Sequence, residues 1–420
     1  MSSELEAYVR ELVKRYATVN LGIKNPKLVV SAAARNGDNF ASDVSRVEIT
    51  DGDRSDSDEG SNQEETHRSS KVQLIIKTSP QDALRRQMYS SSLQFTREHY
   101  TYNTVFPALE KFQRQYLLQS QIFAHYPKIL QSSMEATKEF IILEDLCPLR
   151  YHTSYRPEAL SFAKCMSVIK TLAQFHAISF AYKDQRPDEF EKLTNSLVEI
   201  TFKDGENKIL DPFLYRFIEC GILTLSDSEE DRRVKGRLEQ FQEVYASLMR
   251  ECVDAKEDAV ILHGDCWMSN LMFRKELDEI DVRLIDWQGT RYGSPAIDLS
   301  YFLFCCADSK VRVELPKILD FYHEELIKRI TELGSDGAKL FSHSNLEGHM
   351  KKYARFGLGM AILTLHVITC DPDEMPNIKD TVQKDDSAQQ DNIINYLISK
   401  PAYRERMSGV CRDAIKYGYL

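Results

Sequence analysis

The period of the apolar residues changes near residue 147, and no single kind of regular element satisfies both patterns. Before that point, short apolar runs such as Val72, Leu74, Ile75 and Ile76, or Phe140 to Leu143, read as buried strands. Beyond Pro148, apolar residues recur every three or four positions, as in Phe162, Met166, Ile169, Ala173, His176 and Phe180, which is the period of a helix. The expected fold class is therefore α+β in two parts. Residues 1–146 form a small sheet-bearing lobe with helices, and residues 147–420 form a larger, mainly helical lobe. A chain of 420 residues is long enough to build two cores.

Within the first part, Leu5, Val9, Leu12 and Tyr16 share one face of an opening helix. Lys27–Ala34 and Phe40–Thr50 follow as a hairpin joined by the turn formers Arg35 to Asn39. Residues 50–70 carry seven acids against Arg54 and Arg68 and almost nothing apolar, which predicts a disordered acidic insertion. A helix over Leu93–Phe106 buries Phe95, Tyr102 and Val105, and Pro107 is expected to end it. Strands near Lys128–Gln131 and Phe140–Leu143 complete the sheet. In the second part, the charged run Ser226–Arg233 reads as a solvated loop.

Composition narrows the partners. With 54 basic against 64 acidic side chains the formal charge is −10, which disfavours a nucleic-acid partner. Nine cysteines without a CxxC pair indicate a reducing compartment, and Cys305 and Cys306 lie in an apolar segment as small hydrophobes. Glu4 and Glu6 interrupt the N-terminus, so it is not a signal peptide, and Phe356–Thr369 is too short to span a bilayer. A cytoplasmic protein, monomeric and without a membrane partner, is expected.

One stretch sits awkwardly in this pattern. HGDCWMSN, His263 to Asn270, places polar groups between the apolar runs Ala259–Leu262 and Leu271–Phe273, where burying them unpaired is expensive. Asn270 follows Asp265 by five positions, and Asp286 follows Asn270 by sixteen. Pairing Leu271–Phe273 with Val282–Ile285 would return Asp286 to the loop. The Asp286 carboxylate and Asn270 amide oxygen then suit a hard cation such as Mg2+, and Asp265 is left to accept a proton. Phosphoryl transfer needs such parts, together with a lysine held by an acid. Lys77 at a strand end and Glu98 in an apolar helix seam could be that pair. His263 and His176 read as structural groups, and Asp298 reads as a helix cap that braces the loop.

The spacing is the catalytic arrangement of the bilobal protein-kinase-like fold. HGDCWMSNLMF and LIDWQGTRYGSPAIDLSYFL resemble the ecdysteroid kinase-like family, which is related to choline kinases and aminoglycoside phosphotransferases. Gly37 to Ser42, Lys77, Glu98, FIILEDL from Phe140 and LAQFHA from Leu172 follow in the family's order, so the likeness runs from about residue 10 to about 370. The resemblance implies an ATP-dependent kinase acting on a hydroxyl of a small lipophilic acceptor, such as an ecdysteroid. It makes Asp265 the catalytic base, Asn270 and Asp286 the Mg2+ ligands, and Lys77 the phosphate-holding lysine paired with Glu98. Glu144 to Leu146 would receive the adenine of ATP. The turn with Asn39 and Ser42 would cover the phosphates without a GxGxxG.

Duller readings stand beside these. Asp265 and Asn270 both favour caps and turns, and a lysine at a strand end can simply be solvated. A choline- or ethanolamine-type acceptor, or a protein that binds nucleotide or steroid without turnover, are the rival functions. A two-metal phosphoesterase using His263 and Asp265 would need further histidine ligands at suitable spacing, and the sequence has none.

Overall fold

The computed structural model describes residues 3–33, 41–52, 71–202, 211–254, 256–277, 279–370 and 394–420. The fold is α+β, with a sheet-bearing unit and a mainly helical one. The first compact unit is Met1–His99 with Pro127–Tyr151, and the second is Tyr100–Tyr126 with His152–Leu420. Residues 100–126 thus group with the second unit, and the division is not one cut along the chain. Residues 53–70 of the acidic insertion lie outside the described residues.

The first unit holds an antiparallel sheet of β1 (Pro26–Ala32), β2 (Asp43–Asp51), β3 (Val72–Thr78), β4 (Ile129–Ser133) and β5 (Phe140–Glu144), in the order β1-β2-β3-β5-β4. One face is covered by the helix Ser3–Asn20, whose Leu5, Val9, Val13, Tyr16 and Ala17 pack on Val47, Ile49, Leu74, Ile76 and Ile142. Leu12, expected in that seam, is only partly buried at its edge, and Val13 takes the central position. Side chains alternate across a strand, so Lys77, next to Ile76, points to the sheet's other face. There it meets the helix Ser91–Tyr100.

Pro107 does not end that helix. The chain passes through a π-helical turn, Thr101–Val105, into a further helix, Phe106–Gln113. Phe106 N–H donates to Thr101 O, and Pro107 falls in the first turn of the new segment. A first-turn N–H has no partner inside its own segment, so the imino acid is tolerated there, and the wider turn accommodates its ring.

The second unit is organised by two buried helices. Phe162–Gln185 packs on Leu315–Glu332, while Pro295–Cys306, buried along its whole length, packs on Arg355–Thr369. The latter crossing is close because of Gly357, where an added Cβ would stand 2.4 Å from the Ser300 carbonyl carbon. Two small sheets sit among the helices. One joins β6 (His152–Thr153), β8 (Leu271–Glu276) and β9 (Glu279–Leu284); the other pairs β7 (Val260–Leu262) with β10 (Arg291–Gly293). All nine cysteines are free, and Cys305 and Cys306 are fully buried. Among the described residues no helix is long and apolar enough to cross a membrane.

The run Ser226–Arg233 is not a solvated loop. Ser228 caps the helix Glu229–Val253 by accepting from Asp231 N, and Asp231 is 1% exposed. Both nitrogens of the Arg412 fork donate to its carboxylate, at 2.8 and 2.9 Å, and Ser226 N donates at 2.7 Å. The arginine hydrogen bonds, opposed by burial and aided by Ser226, hold this carboxyl below its ordinary value. A carboxyl lowered on folding contributes stability above its unfolded pKa of about 4 and loses it as pH falls further. Asp231→Ala should lower stability by about 2 kcal/mol at pH 7, since the half-exposed Arg412 can return to water, and by much less at pH 2.5. Urea unfolding at the two pH values checks this; an equal loss at both would refute the assigned pairing.

Candidate active site

β7 is a fully buried strand, and the chain leaves it at His263 through backbone that only a network of partners can satisfy. His263 N and Gly264 N donate to the two oxygens of Asp298, each at 2.8 Å. Asp298 therefore braces the loop as expected but caps nothing, because Ser294 caps its helix and Asp298 lies within the first turn. His176 Nε2 stands 3.2 Å from the same carboxylate, and its Nδ1 is 2.9 Å from the Tyr322 hydroxyl. Burial pushes the Asp298 carboxyl up, but His176 and the loop amides outweigh it and hold the group below its ordinary value. His263 Nε2 lies 3.0 Å from Ile285 O, which can only accept, so Nδ1 is left to accept from Asp265 N. Both histidines are thus structural.

Hairpin register brings the rest together. Leu271 pairs with Leu284, so Asn270 faces Ile285, whose N–H donates to Asn270 O at 3.0 Å. Asp286 follows in a left-handed conformation at φ 65°, unusual for a residue with a side chain and found where tertiary contacts impose it. The Asn270 amide nitrogen donates to both the Asp265 carbonyl and Asp265 Oδ2, each at 2.9 Å. Its oxygen is thereby turned away from Asp265. Tyr301 donates to Asp265 Oδ1 at 3.0 Å. Burial, and then the neighbouring Asp286 carboxylate, push the Asp265 carboxyl up to about 7 against the opposing effects of Tyr301, Arg291 and Asn270. The second unit therefore brings Asp265, Asn270 and Asp286 together.

One carboxylate and one amide oxygen form a hard donor set that fits a divalent cation able to keep water or phosphate oxygens in its other positions. Among the described residues there is no group of three or more His, Cys, Asp or Glu that could enclose a metal by itself. The fit is to a shared cation and not to a closed structural site.

In the first unit, Lys77 Nζ forms an ion pair with Glu98, and both groups are buried. The carboxylate in the apolar seam thus has the cation it requires. Lys77 pairs in register with Val44 of β2 and Ile141 of β5. Asn39 lies outside the described residues. Ser42 is buried beside β2, and its carbonyl and the Asp43 carboxylate accept from the Arg85 fork at 2.8 and 2.7 Å. Glu144 ends β5. The following turn is held by Asp145, which accepts from Arg46 Nε at 2.6 Å and from Cys147 N at 3.0 Å. Leu146 O accepts from Leu149 and Tyr151 amides.

Four further residues shape the second site without a local signal of their own in the sequence. Gly264 has φ +78°, and a Cβ there would stand 1.9 Å from Gly289 O. Gly289 in turn has no room for a Cβ beside Asp265. Arg291 donates to Gly289 O at 3.2 Å and pairs with Glu199, also at 3.2 Å. Tyr301 is the fourth. The glycines stood inside the quoted motifs, but nothing in one sequence reveals which chain segment will cross them.

The model of the ecdysteroid kinase-like family matches residues 36–335. The chain belongs to that family. Every site residue described above lies within the matched span of this ecdysteroid kinase-like protein. No curated protein matches its sequence. Among solved structures it is similar to an ethanolamine kinase from Plasmodium vivax, at 14% identity over 89% of this chain and 90% of that one, with a TM-score of 0.41. A microcompartment-associated aminopropanol kinase shares 12% identity over 98% and 99% of the two chains, with a TM-score of 0.43. An aminoglycoside phosphotransferase from Alicyclobacillus acidocaldarius shares 12% over 90% and 92%, with a TM-score of 0.37.

Proposed function

We propose that this protein is an ATP-dependent kinase that transfers the γ-phosphate to a hydroxyl of a small lipophilic acceptor, such as an ecdysteroid or another steroid alcohol. The observation that carries the reading is the Asp265 carboxylate, held at both oxygens beside Asp286 and Asn270 in a chain of the ecdysteroid kinase-like family. In the proposed reaction Asp265 takes the proton of the acceptor hydroxyl as the new P–O bond forms and the bond to the leaving ADP breaks. Burial, the first cause of its raised pKa, strengthens the hold of this carboxylate on the proton it receives. Mg2+ on Asp286 and Asn270 would neutralise phosphate charge and would also relieve the repulsion that Asp286 exerts on Asp265.

In the first unit, the Lys77 ammonium, fixed by Glu98, is assigned to phosphate oxygens. Ser42 is assigned to the same phosphates, its backbone anchored by Arg85. The carbonyl of Glu144 and the N–H of Leu146 are assigned to the adenine edge. Leu146 O accepts from the Leu149 and Tyr151 amides, so its carbonyl belongs to that turn and its N–H is the group assigned to the nucleotide. The first unit is thereby read as the nucleotide-binding part and the second as the part that carries the base and the acceptor.

Lys77→Met should lower kcat/KM for ATP about 100-fold by removing a charge aimed at the phosphates. Glu98→Leu alone should destabilise the protein by about 3 kcal/mol, because it removes the carboxylate that is ion-paired with a buried ammonium. The double variant should recover most of that stability and none of the activity, since a buried ion pair replaced by apolar groups is close to neutral. Melting curves and ATP kinetics of the three variants test the pair. Recovery of activity in the double variant would exclude the assigned role.

The function itself is tested by incubating the protein with Mg2+ and ATP and a panel of ecdysone, cholesterol, choline and ethanolamine, with detection of phosphorylated products by mass spectrometry. Product from a steroid alcohol with wild type, and none with Asp265→Asn, is the expected result. Product from choline or ethanolamine alone would move the acceptor class. Equal background ATP consumption in both proteins, with no product, would favour a binding protein without turnover.

A further inference from the structure

The helix Pro295–Cys306 engages three consecutive residues of the loop, and only two of those contacts are backbone support. Asp298 accepts from the amides of His263 and Gly264, and three positions later, on the same helix face, Tyr301 reaches the Asp265 side chain itself. We propose that Tyr301 is a positioning residue for phosphoryl transfer, whose hydroxyl fixes the rotation of the Asp265 carboxylate so that its free lone pair stays aimed at the acceptor hydroxyl. The inference rests on the reading of Asp265 as the base.

The geometry separates this role from packing. Asn270 holds Oδ2 alone, and one hydrogen bond leaves the Cβ–Cγ torsion of an aspartate free to swing, because that torsion has a broad well. The second bond, from Tyr301 to Oδ1, removes the freedom. Each carboxylate oxygen accepts more than one hydrogen bond, so both bonds can persist while a substrate hydroxyl approaches. An ionised carboxylate cannot donate, which makes the phenol the donor. Burial, and next the Asp265 charge, raise the Tyr301 phenol well above its ordinary value, so it keeps its proton.

The support behind Tyr301 is rigid. Tyr301 is 1% exposed, and Gly357 lets the helix Arg355–Thr369 press against the backbone of Ser300, the residue before it. The ring meets the edge of Phe356 at 6.2 Å, so a phenylalanine at 301 would occupy the same space and lose only the hydroxyl. Asp298 and Tyr301 together make one helix turn the jig that sets the backbone and the side chain of the loop.

Tyr301→Phe and Asp265→Asn, assayed with Mg2+, ATP and ecdysone or whichever panel member wild type phosphorylates, test this. Tyr301→Phe is expected to lower kcat about tenfold through lost alignment, with KM for ATP unchanged within about twofold. Its melting temperature should stay within about 3 °C of wild type, as one hydrogen bond is lost in a large unit. Wild-type kcat in Tyr301→Phe, with Asp265→Asn inactive, overturns the positioning role and spares the base. Full product from Asp265→Asn overturns the reading of the base itself. A melting temperature lowered by 10 °C or more with kcat per folded molecule unchanged would show Tyr301 to be packing alone.

Discussion

Under the proposed function, Asp265→Asn should lower the turnover of phosphate transfer by about 1,000-fold and leave ATP binding within a few-fold of wild type. General-base catalysis by a placed group contributes about 100- to 10,000-fold, and the proposed base Asp265 has both its oxygens held. The asparagine keeps the shape and one acceptor oxygen for Tyr301. Its new NH2 would face the amide nitrogen of Asn270, which now donates to Oδ2. Two donors then oppose each other, and the protein loses about 1 kcal/mol of stability. Product formation in a single-turnover assay, with ATP affinity from calorimetry, separates the two effects. A loss under tenfold would remove Asp265 from the reaction.

Gly264→Ala has the other large effect, and it acts through backbone. The methyl group would stand 1.9 Å from Gly289 O and 2.7 Å from Gly289 C, at a φ of +78° that alanine disfavours. Neither strand of the crossing can retreat. Gly264 N is bonded to Asp298, and Gly289 O accepts from Arg291, which is itself paired with Glu199. The expected loss is about 4 kcal/mol with phosphate transfer reduced at least 100-fold, read by chemical unfolding and by product yield. Gly236→Ala is the control. It lies in the helix Glu229–Val253 with nothing within 4 Å of an added Cβ, and should stabilise by about 0.5 to 1 kcal/mol. Wild-type stability in Gly264→Ala would mean that the two loops do not cross as described.

Much of this protein is written locally. The hairpin β8–β9 follows from apolar runs flanking a charged turn, and its register alone carries Asp286 back to Asn270. Glu98 in a helix seam demanded a cation, and Lys77 is that cation. Spacing of this kind survives folding because it belongs to single elements, whose periods of two and 3.6 residues leave little choice. Pro107 and Asp231 show where the same reasoning fails. A proline reads as a stop unless a π-turn absorbs it, and an acid in a charged run reads as solvated unless a distant Arg412 covers it. Both outcomes depend on a partner or strain that neighbouring residues do not specify.

The residues alone determined the α+β class, the family and the identity of the acids, amide and lysine from which a phosphate-handling site could be made. Only the tertiary structure decided that Asp298 does not cap its helix, that Gly264 and Gly289 must both lack side chains, and that Tyr301 holds Asp265. The physical reason is separation along the chain. Tyr301 lies 36 residues from Asp265, and a hydrogen bond between them exists only because one buried helix is packed against the loop that follows β7.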